Sequence, residues 1–142
     1  MSDLLNSSQR TSLFVTLRDF EKSLRRVESL MDNTEANGIL FRPRLSISAE
    51  KRAQAHQKIS AALDQIQELS RLFAFDTEEQ DIARLIRSEM SSHWANLLDS
   101  RSRKLKRYGN VYPQLAENLD AYILSLSKIA LSLATLFEEN SS

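Results

Sequence analysis

Histidine is the first residue type to consider for chemistry in this chain, because it can bind a metal ion or transfer a proton near neutral pH. The chain contains two histidines, His56 and His93, and Glu89 precedes His93 by four positions. Di-metal sites in helical bundles combine Glu-x-x-His pairs from two helices with further glutamates. Neither that spacing nor a second pair occurs here, so the sequence predicts no metal or other cofactor and structural roles for both histidines.

Arg87 and His93 are separated by five residues. This Arg-x5-His spacing resembles that of helical-bundle ribonucleases of the HEPN class, in which an arginine and a histidine act on an RNA phosphate at a dimer interface. The resemblance covers only these two residues and implies a HEPN-like ribonuclease as one alternative. The chain has no cysteine, no glycine-rich phosphate loop and no G-x-S-x-G motif. Our main expectation is therefore a protein that is not an enzyme.

Positive charge is most concentrated in RSRKLKR, residues 101–107, where five of the seven side chains are basic although the whole chain has zero net charge. On a helix, these five would surround the axis instead of forming the single stripe that enters a nucleic-acid groove. Our main expectation is that this segment is a solvated helix end, and the alternative is that it forms a site for nucleic acid or another polyanion. Phe41, Tyr108 and Tyr112 could add base stacking to it. The residues of this candidate anion site are Arg42, Arg44, Arg101, Arg103, Lys104, Lys106 and Arg107.

Four amphipathic helices are predicted from the spacing of apolar residues. The clearest stripe steps alternately by four and three residues, as bundle helices require; it consists of Leu13, Leu17, Phe20, Leu24, Val27 and Met31. Ser48 is a suitable N-cap for the second helix, Thr77 to Gln80 has capping-box spacing for the third, and Gly109 can end the third. The predicted bounds are approximately 8–36, 49–75, 78–108 and 113–138.

These elements predict an all-α fold in a single domain, residues 1–142, with the architecture of an antiparallel up-down-up-down four-helix bundle. The alternative is a pair of helical hairpins that completes its core only by dimerising. In the bundle, the basic residues of 42–44 and 101–107 would share one end, and the acidic turn at 76–81 would lie at the other. The sequence therefore also predicts a charge dipole along the molecule.

The fourth helix has apolar residues outside its main stripe. That stripe comprises Leu115, Leu119, Tyr122, Leu126, Ile129, Leu133 and Leu136. Leu124 and Leu131 project about 120° or more away from its centre. We therefore predict a partner-binding face formed by Leu124, Ser127 and Leu131. Such a face indicates a non-catalytic, adaptor- or scaffold-like protein–protein interaction module that can form a homodimer.

The expected location of this protein is the cytoplasm. Its first residues, MSDLLNSSQR, lack the basic and apolar regions of a signal peptide. The most apolar stretch, Ala121 to Phe137, contains Lys128 and is shorter than the roughly 20 residues that a membrane span needs. We therefore expect no membrane span.

Overall fold

The computed structural model describes residues 4–33 and 37–138, and it confirms the all-α prediction: no strand occurs in those two ranges. Its helices are α1 (Ser7–Asp32), α2 (Ala49–Leu72), α3 (Ile82–Leu98), the single turn α4 (Ser102–Leu105) and α5 (Ala121–Leu136). A 3₁₀ turn, Lys106–Tyr108, follows α4, and a π-helical turn, Ala116–Asp120, leads into α5. The chain divides into a first unit, Met1–Thr77, and a second unit, Glu78–Ser142.

The first unit is an antiparallel hairpin of α1 and α2. Near the start of α1, Arg10 donates a hydrogen bond to the carbonyl oxygen of Ala74, just beyond the end of α2 (3.4 Å). At the other end of the hairpin, Arg52 near the start of α2 donates to the carbonyl oxygen of Met31 (2.7 Å). Met31 is in the last turn of α1, so Arg52 satisfies a carbonyl group that the helix end leaves without an intrahelical partner.

Aromatic packing reinforces the first of these contacts. The rings of Phe14 and Phe75 meet edge to face with centroids 5.7 Å apart, and Phe73 lies 6.0 Å from Phe75. The Arg10 guanidinium lies 5.1 Å from the centre of the Phe75 ring. These contacts hold the start of α1 against the residues that follow α2.

The chain leaves α2 through a Schellman motif. The Phe75 N–H bonds to the carbonyl oxygen of Ser70 (2.9 Å), and the Ala74 N–H bonds to that of Arg71 (3.3 Å). Ala74 has φ +52°, a left-handed conformation in which glycine is usual. The second helix was predicted to continue to residue 75, but it ends at Leu72 because this motif turns the backbone out of the helix.

The second unit is also an antiparallel hairpin, formed by α3 and α5. Arg87 in α3 donates to the carbonyl oxygen of Phe137, just after α5 (2.8 Å). At the opposite end, Asp120 accepts from both the N–H and the hydroxyl of Ser102, each at 2.8 Å. These two contacts fix the hairpin at both ends.

α5 packs against α3 through a seam of mostly small residues, spaced by four, three and four positions. The seam consists of Ile123, Ser127, Ala130 and Ala134, all of them buried. Small side chains let the two helix backbones approach closely, and α3 and α5 accordingly pack together more closely than α1 and α2 do. The stripe that we predicted for the core of the fourth helix lies beside this seam and is largely exposed.

The predicted bounds of the third helix were wrong at both ends. It begins after Asp81, whose carboxylate accepts from the Arg84 N–H (3.1 Å), and not at the Thr77 capping box. Residues 76–81 include four acidic side chains and no apolar one. The first side chain that can pack against a neighbouring helix is therefore Ile82. The helix ends at Leu98, ten residues early, because Asp120 captures the Ser102 N–H and Arg101 Nε bonds to the Leu98 carbonyl oxygen.

The predicted starts of the first two helices agree more closely, and the fourth, predicted for 113–138, consists of the π turn Ala116–Asp120 followed by α5, which ends at Leu136. Ser48 caps α2 as predicted, accepting from the Lys51 N–H (3.1 Å). Asn6 caps α1 through a capping box with Gln9, and the helix begins at Ser7, one residue before the predicted start. The predicted end of the first helix, residues 34–36, lies outside the described residues. The four-helix bundle and the single domain stay predictions.

We expect Ala74→Gly to stabilise the first unit by about 0.5–1 kcal/mol. Glycine removes a left-handed strain of about 1–2 kcal/mol, partly offset by its greater freedom in the unfolded chain. Hydrogen exchange of the amides in the last turn of α2 would measure the change. Ala61→Gly, at an exposed position within α2, is the matched control and should destabilise the helix by about 0.5–1 kcal/mol. If Ala74→Gly does not slow the exchange of these amides, the assigned strain at Ala74 is contradicted.

We expect Ser127→Leu to destabilise the second unit by about 1–3 kcal/mol, because a larger side chain overpacks the seam between α3 and α5. Ser127→Ala should change stability by less than about 1 kcal/mol, since it removes only the hydroxyl's local bond to the Leu124 carbonyl oxygen. Denaturant unfolding followed by the fluorescence of Trp94, the single tryptophan, reports on this unit. Equal stability of the two variants would show that the seam is not tightly packed.

Candidate functional site

An exposed apolar stripe runs along α5 in the second unit, and we call it the α5 stripe. Its residues are spaced alternately by four and three positions, and each is between 38% and 74% exposed. They are Tyr122, Leu126, Ile129, Leu133 and Leu136. Because this spacing is that of a helix packed against a partner helix, the stripe has the pattern of a core face but is not buried in the hairpin.

Leu124 and Leu131 lie on the other side of the α5 seam, and they are 41% and 45% exposed. Both are therefore accessible, as the predicted partner-binding face requires. Ser127, the third predicted residue of that face, is 2% exposed and faces the interior of the hairpin. Its assignment to an outer face was wrong because the helix turns its small residues, and not its largest apolar ones, toward α3.

The remaining arc of α5 is polar. Ser125, Lys128 and Ser132 are exposed and project away from the buried seam. The helix therefore has one buried seam, two exposed apolar flanks and one polar strip. A helix with this division of surface can contact neighbouring helices on three sides.

The predicted anion-site residues are divided between the two units. Arg42 and Arg44 are exposed in the segment between α1 and α2 of the first unit. The other five belong to α4 and its flanking residues in the second unit, so their predicted meeting with Arg42 and Arg44 stays a prediction. Within the second unit, residues 101–107 lie at one end, and Asp81 and Glu138 lie at the other, because α3 and α5 are antiparallel.

Of the five predicted anion-site residues in the second unit, Arg101 is held by a hydrogen bond within the fold. Its Nε donates to the Leu98 carbonyl oxygen (2.9 Å). Arg103, Lys106 and Arg107 are exposed, and Lys104 is half-buried. In the described ranges, none of these last four has a carboxylate oxygen within 4 Å.

An open cleft of about 540 Å³ lies beside these basic residues. Its lining includes Leu105, Tyr108, Val111, Tyr112, Leu115 and Asn118. Tyr108 and Tyr112 are 78% and 82% exposed, and the Arg107 guanidinium lies 5.1 Å from the centre of the Tyr108 ring. We call this feature the tyrosine cleft.

The buried Ser102 is anchored by the carboxylate of Asp120. Hydrogen bonds from the Ser102 N–H, then from its hydroxyl, together with the nearby Arg101 charge, lower the pKa of Asp120 below its ordinary value of 3.8. The ionised carboxylate thereby satisfies the first N–H of α4 and joins this turn to the start of α5. It is an anchoring contact, and it positions the basic segment relative to the tyrosine cleft.

The residues considered for catalysis have separate positions. Arg87 donates its hydrogen bond to the end of α5, whereas His93 is exposed. The two residues are six positions apart on α3, and this separation places their side chains about 120° apart around the helix axis. His56 lies in the first unit, where its Nε2 is 3.4 Å from the Asp32 carboxylate. No group of three metal-ligating side chains with suitable geometry occurs in the part of the chain that the structure describes.

The π turn, Ala116–Asp120, joins directly to α5 and so extends this apolar helix toward its N-terminus. The resulting helix, Ala116–Leu136, has 21 residues and a window of mean hydropathy 1.4, so by length and composition alone it could cross a membrane. Only 22% of that window is buried. The expected absence of a membrane span, based on the shorter stretch Ala121 to Phe137, stays a prediction.

Comparison of the chain with protein-family models, curated proteins and solved structures gave no match.

The contact between Ser102 and Asp120 was missed at the level of sequence. The two residues are 18 positions apart, and neither belongs to a recognisable capping pattern. The only available signal was an aspartate within the apolar pattern of the fourth helix.

We expect Asp120→Asn to destabilise the second unit most above about pH 4, where aspartate is ionised in the unfolded chain. Since the folded-state pKa is lowered, ionised Asp120 stabilises the fold above that range, and this contribution is lost as the pH falls through the folded-state pKa. The difference in unfolding free energy between the native chain and the variant, followed by Trp94 fluorescence, should therefore narrow in acid. Asp99→Asn, at an exposed neighbouring position, is the control and should show no such narrowing.

Proposed function

We propose that this chain is a non-catalytic, adaptor-like protein–protein interaction module, with α5 as its principal contact helix. The observation that carries the proposal is that α5 is apolar on three sides but buried on only one in its hairpin. Fully burying a leucine or isoleucine side chain is worth about 1.5–3 kcal/mol, so the two exposed flanks provide a strong driving force for association.

The α5 stripe is the flank best suited to a helical core. In the first unit, Phe20 and Val27 belong to the predicted apolar stripe of α1 and are also exposed. We propose an antiparallel four-helix bundle as the architecture in which such exposed stripes become core faces. The heptad spacing of both stripes supports this assembly, because it is the spacing of helices that pack side by side.

Leu124 and Leu131 would then remain for a partner, and we propose that this partner is a second copy of the chain. In an antiparallel pair of α5 helices, Leu124 of one copy can contact Leu131 of the other and the reverse, as two-fold symmetry requires. The same arrangement brings the basic end of one second unit, residues 101–107, toward the acidic end of the other, which contains Asp81 and Glu138. Charge complementarity of this kind favours the antiparallel orientation.

A protein partner accounts for α5 better than a lipid bilayer does. Ser125, Lys128 and Ser132 form a polar strip along the middle of the helix, and a charged side chain near the centre of a bilayer costs about 2.5–3.5 kcal/mol. At a protein interface this strip can face water. The division of polar and apolar surface therefore supports a bundle or dimer.

We expect the double variant Leu124→Glu with Leu131→Glu to convert a dimer into a folded monomer, because it places charges on the proposed dimer face. Light scattering with size-exclusion chromatography would measure the mass, and circular dichroism the helix content. Ser125→Glu with Ser132→Glu adds the same charges to the polar strip and should leave the dimer intact. A native chain that is monomeric at all concentrations would contradict self-association.

The bundle is tested separately by Leu126→Glu with Leu133→Glu. If the α5 stripe is a core face of the bundle, this variant should lose at least about 2 kcal/mol of stability, since two charges replace apolar side chains there. Ser125→Glu with Ser132→Glu again provides the control. Unchanged stability with an intact dimer would reject the bundle and retain the dimer.

A further inference from the structure

We propose that the tyrosine cleft and its basic neighbours form a binding site for single-stranded nucleic acid. This proposal does not depend on the α5 stripe or on the dimer face. It rests on the position of two exposed aromatic rings beside a dense group of cations that have no carboxylate partner among the described residues.

The aromatic part of the site is unusually accessible. Tyr108 and Tyr112, at 78% and 82% exposed, line one concave surface together with the apolar side chains of Leu105, Val111 and Leu115. A tyrosine ring in water offers a flat apolar face on which a base can stack, and each stacked base is worth about 1–3 kcal/mol. The cleft is open enough to admit unstacked bases from the side.

The basic part of the site belongs to the same backbone turn. Lys106 and Arg107 lie in the 3₁₀ turn that ends with Tyr108, and Arg103 lies one turn earlier in α4. All three are exposed. Since Arg107 already contacts the Tyr108 ring at 5.1 Å, a base on that ring and a phosphate on the guanidinium could be bound by adjacent groups.

The backbone holds these groups in place. Asp120 fixes the start of α4 through Ser102, and the turn ends at Gly109, which has φ +145°. That conformation strongly favours glycine. A Cβ atom at Gly109 would meet no atom within 4 Å, so the backbone is open to solvent at this edge of the cleft.

Single strands fit this arrangement better than duplexes do. α4 is only four residues long, and its cations surround the axis, so it does not present the long basic stripe of a helix that enters a major groove. A base can stack on an exposed tyrosine ring only if it is free to leave its own base stack, as in single-stranded RNA or DNA. The aromatic rings also distinguish the site from a simple patch for acidic peptides or anionic lipids, which would need the cations alone.

The test is fluorescence anisotropy of a short labelled oligouridylate with the full-length chain at low salt. Tyr108→Ala with Tyr112→Ala should weaken binding by roughly tenfold or more, because it removes both stacking surfaces. Lys106→Glu with Arg107→Glu should abolish binding. In the native protein, the logarithm of affinity should fall with the logarithm of salt concentration with a slope near −2, as expected for about three phosphate contacts to a single strand.

Matched controls separate this site from general charge effects. Lys51→Glu with Lys58→Glu reverses two exposed cations on α2 and should leave the affinity unchanged. Leu124→Glu with Leu131→Glu should also retain binding, which distinguishes this proposal from the dimer. Circular dichroism of each variant verifies that the helices are intact.

Three outcomes would overturn the proposal. The first is no binding of the oligouridylate by the native chain at low salt. The second is equal affinity of the tyrosine variant and the native chain, which would leave only a general polyanion contact. The third is tighter binding of a duplex of matching sequence, or of vesicles containing anionic lipid, than of the single strand.

Discussion

Two helices packed as a hairpin can bury only one face of each helix, and this constraint governs the rest of the structure. Both units are hairpins of this kind, and both leave apolar side chains of their long helices exposed. α5 shows the effect most clearly because its apolar surface extends well beyond the seam that it shares with α3. Covering the remaining apolar surface would lower the free energy further, and this is the physical basis of the proposed bundle and dimer.

The two hairpins are closed by the same type of contact. Arginine side chains reach carbonyl groups at helix ends in both units, through Arg10 and Arg52 in the first and Arg87 in the second. In the fourth contact the side chain is acidic instead of basic: the Asp120 carboxylate accepts from the backbone N–H of Ser102. Such contacts support the antiparallel pairing even where the apolar core is small, because each one satisfies a backbone group at or just beyond a helix end.

The proposed nucleic-acid site arises from an interruption of regular helix. A continuous third helix up to Gly109 would have distributed the basic residues along an extended solvated end. The break at Leu98 instead gathers them in one short turn beside two exposed tyrosines. Aromatic and cationic groups that a continuous helix would have separated therefore lie within a few residues of one another, and the proposed nucleic-acid site uses no residue of α5.

Local signals in the sequence determined the helical class, the four long helical segments and the Ser48 cap, because each depends on residues within one or two turns of one another. Tertiary structure decided which face of α5 is buried and where α3 ends. The apolar stripe with the largest side chains was the natural sequence-based candidate for the core of α5, but the small seam containing Ser127 permits the closest approach to α3. The end of α3 depends on Asp120, a residue 18 positions from its partner, and no local pattern encodes a contact over that distance.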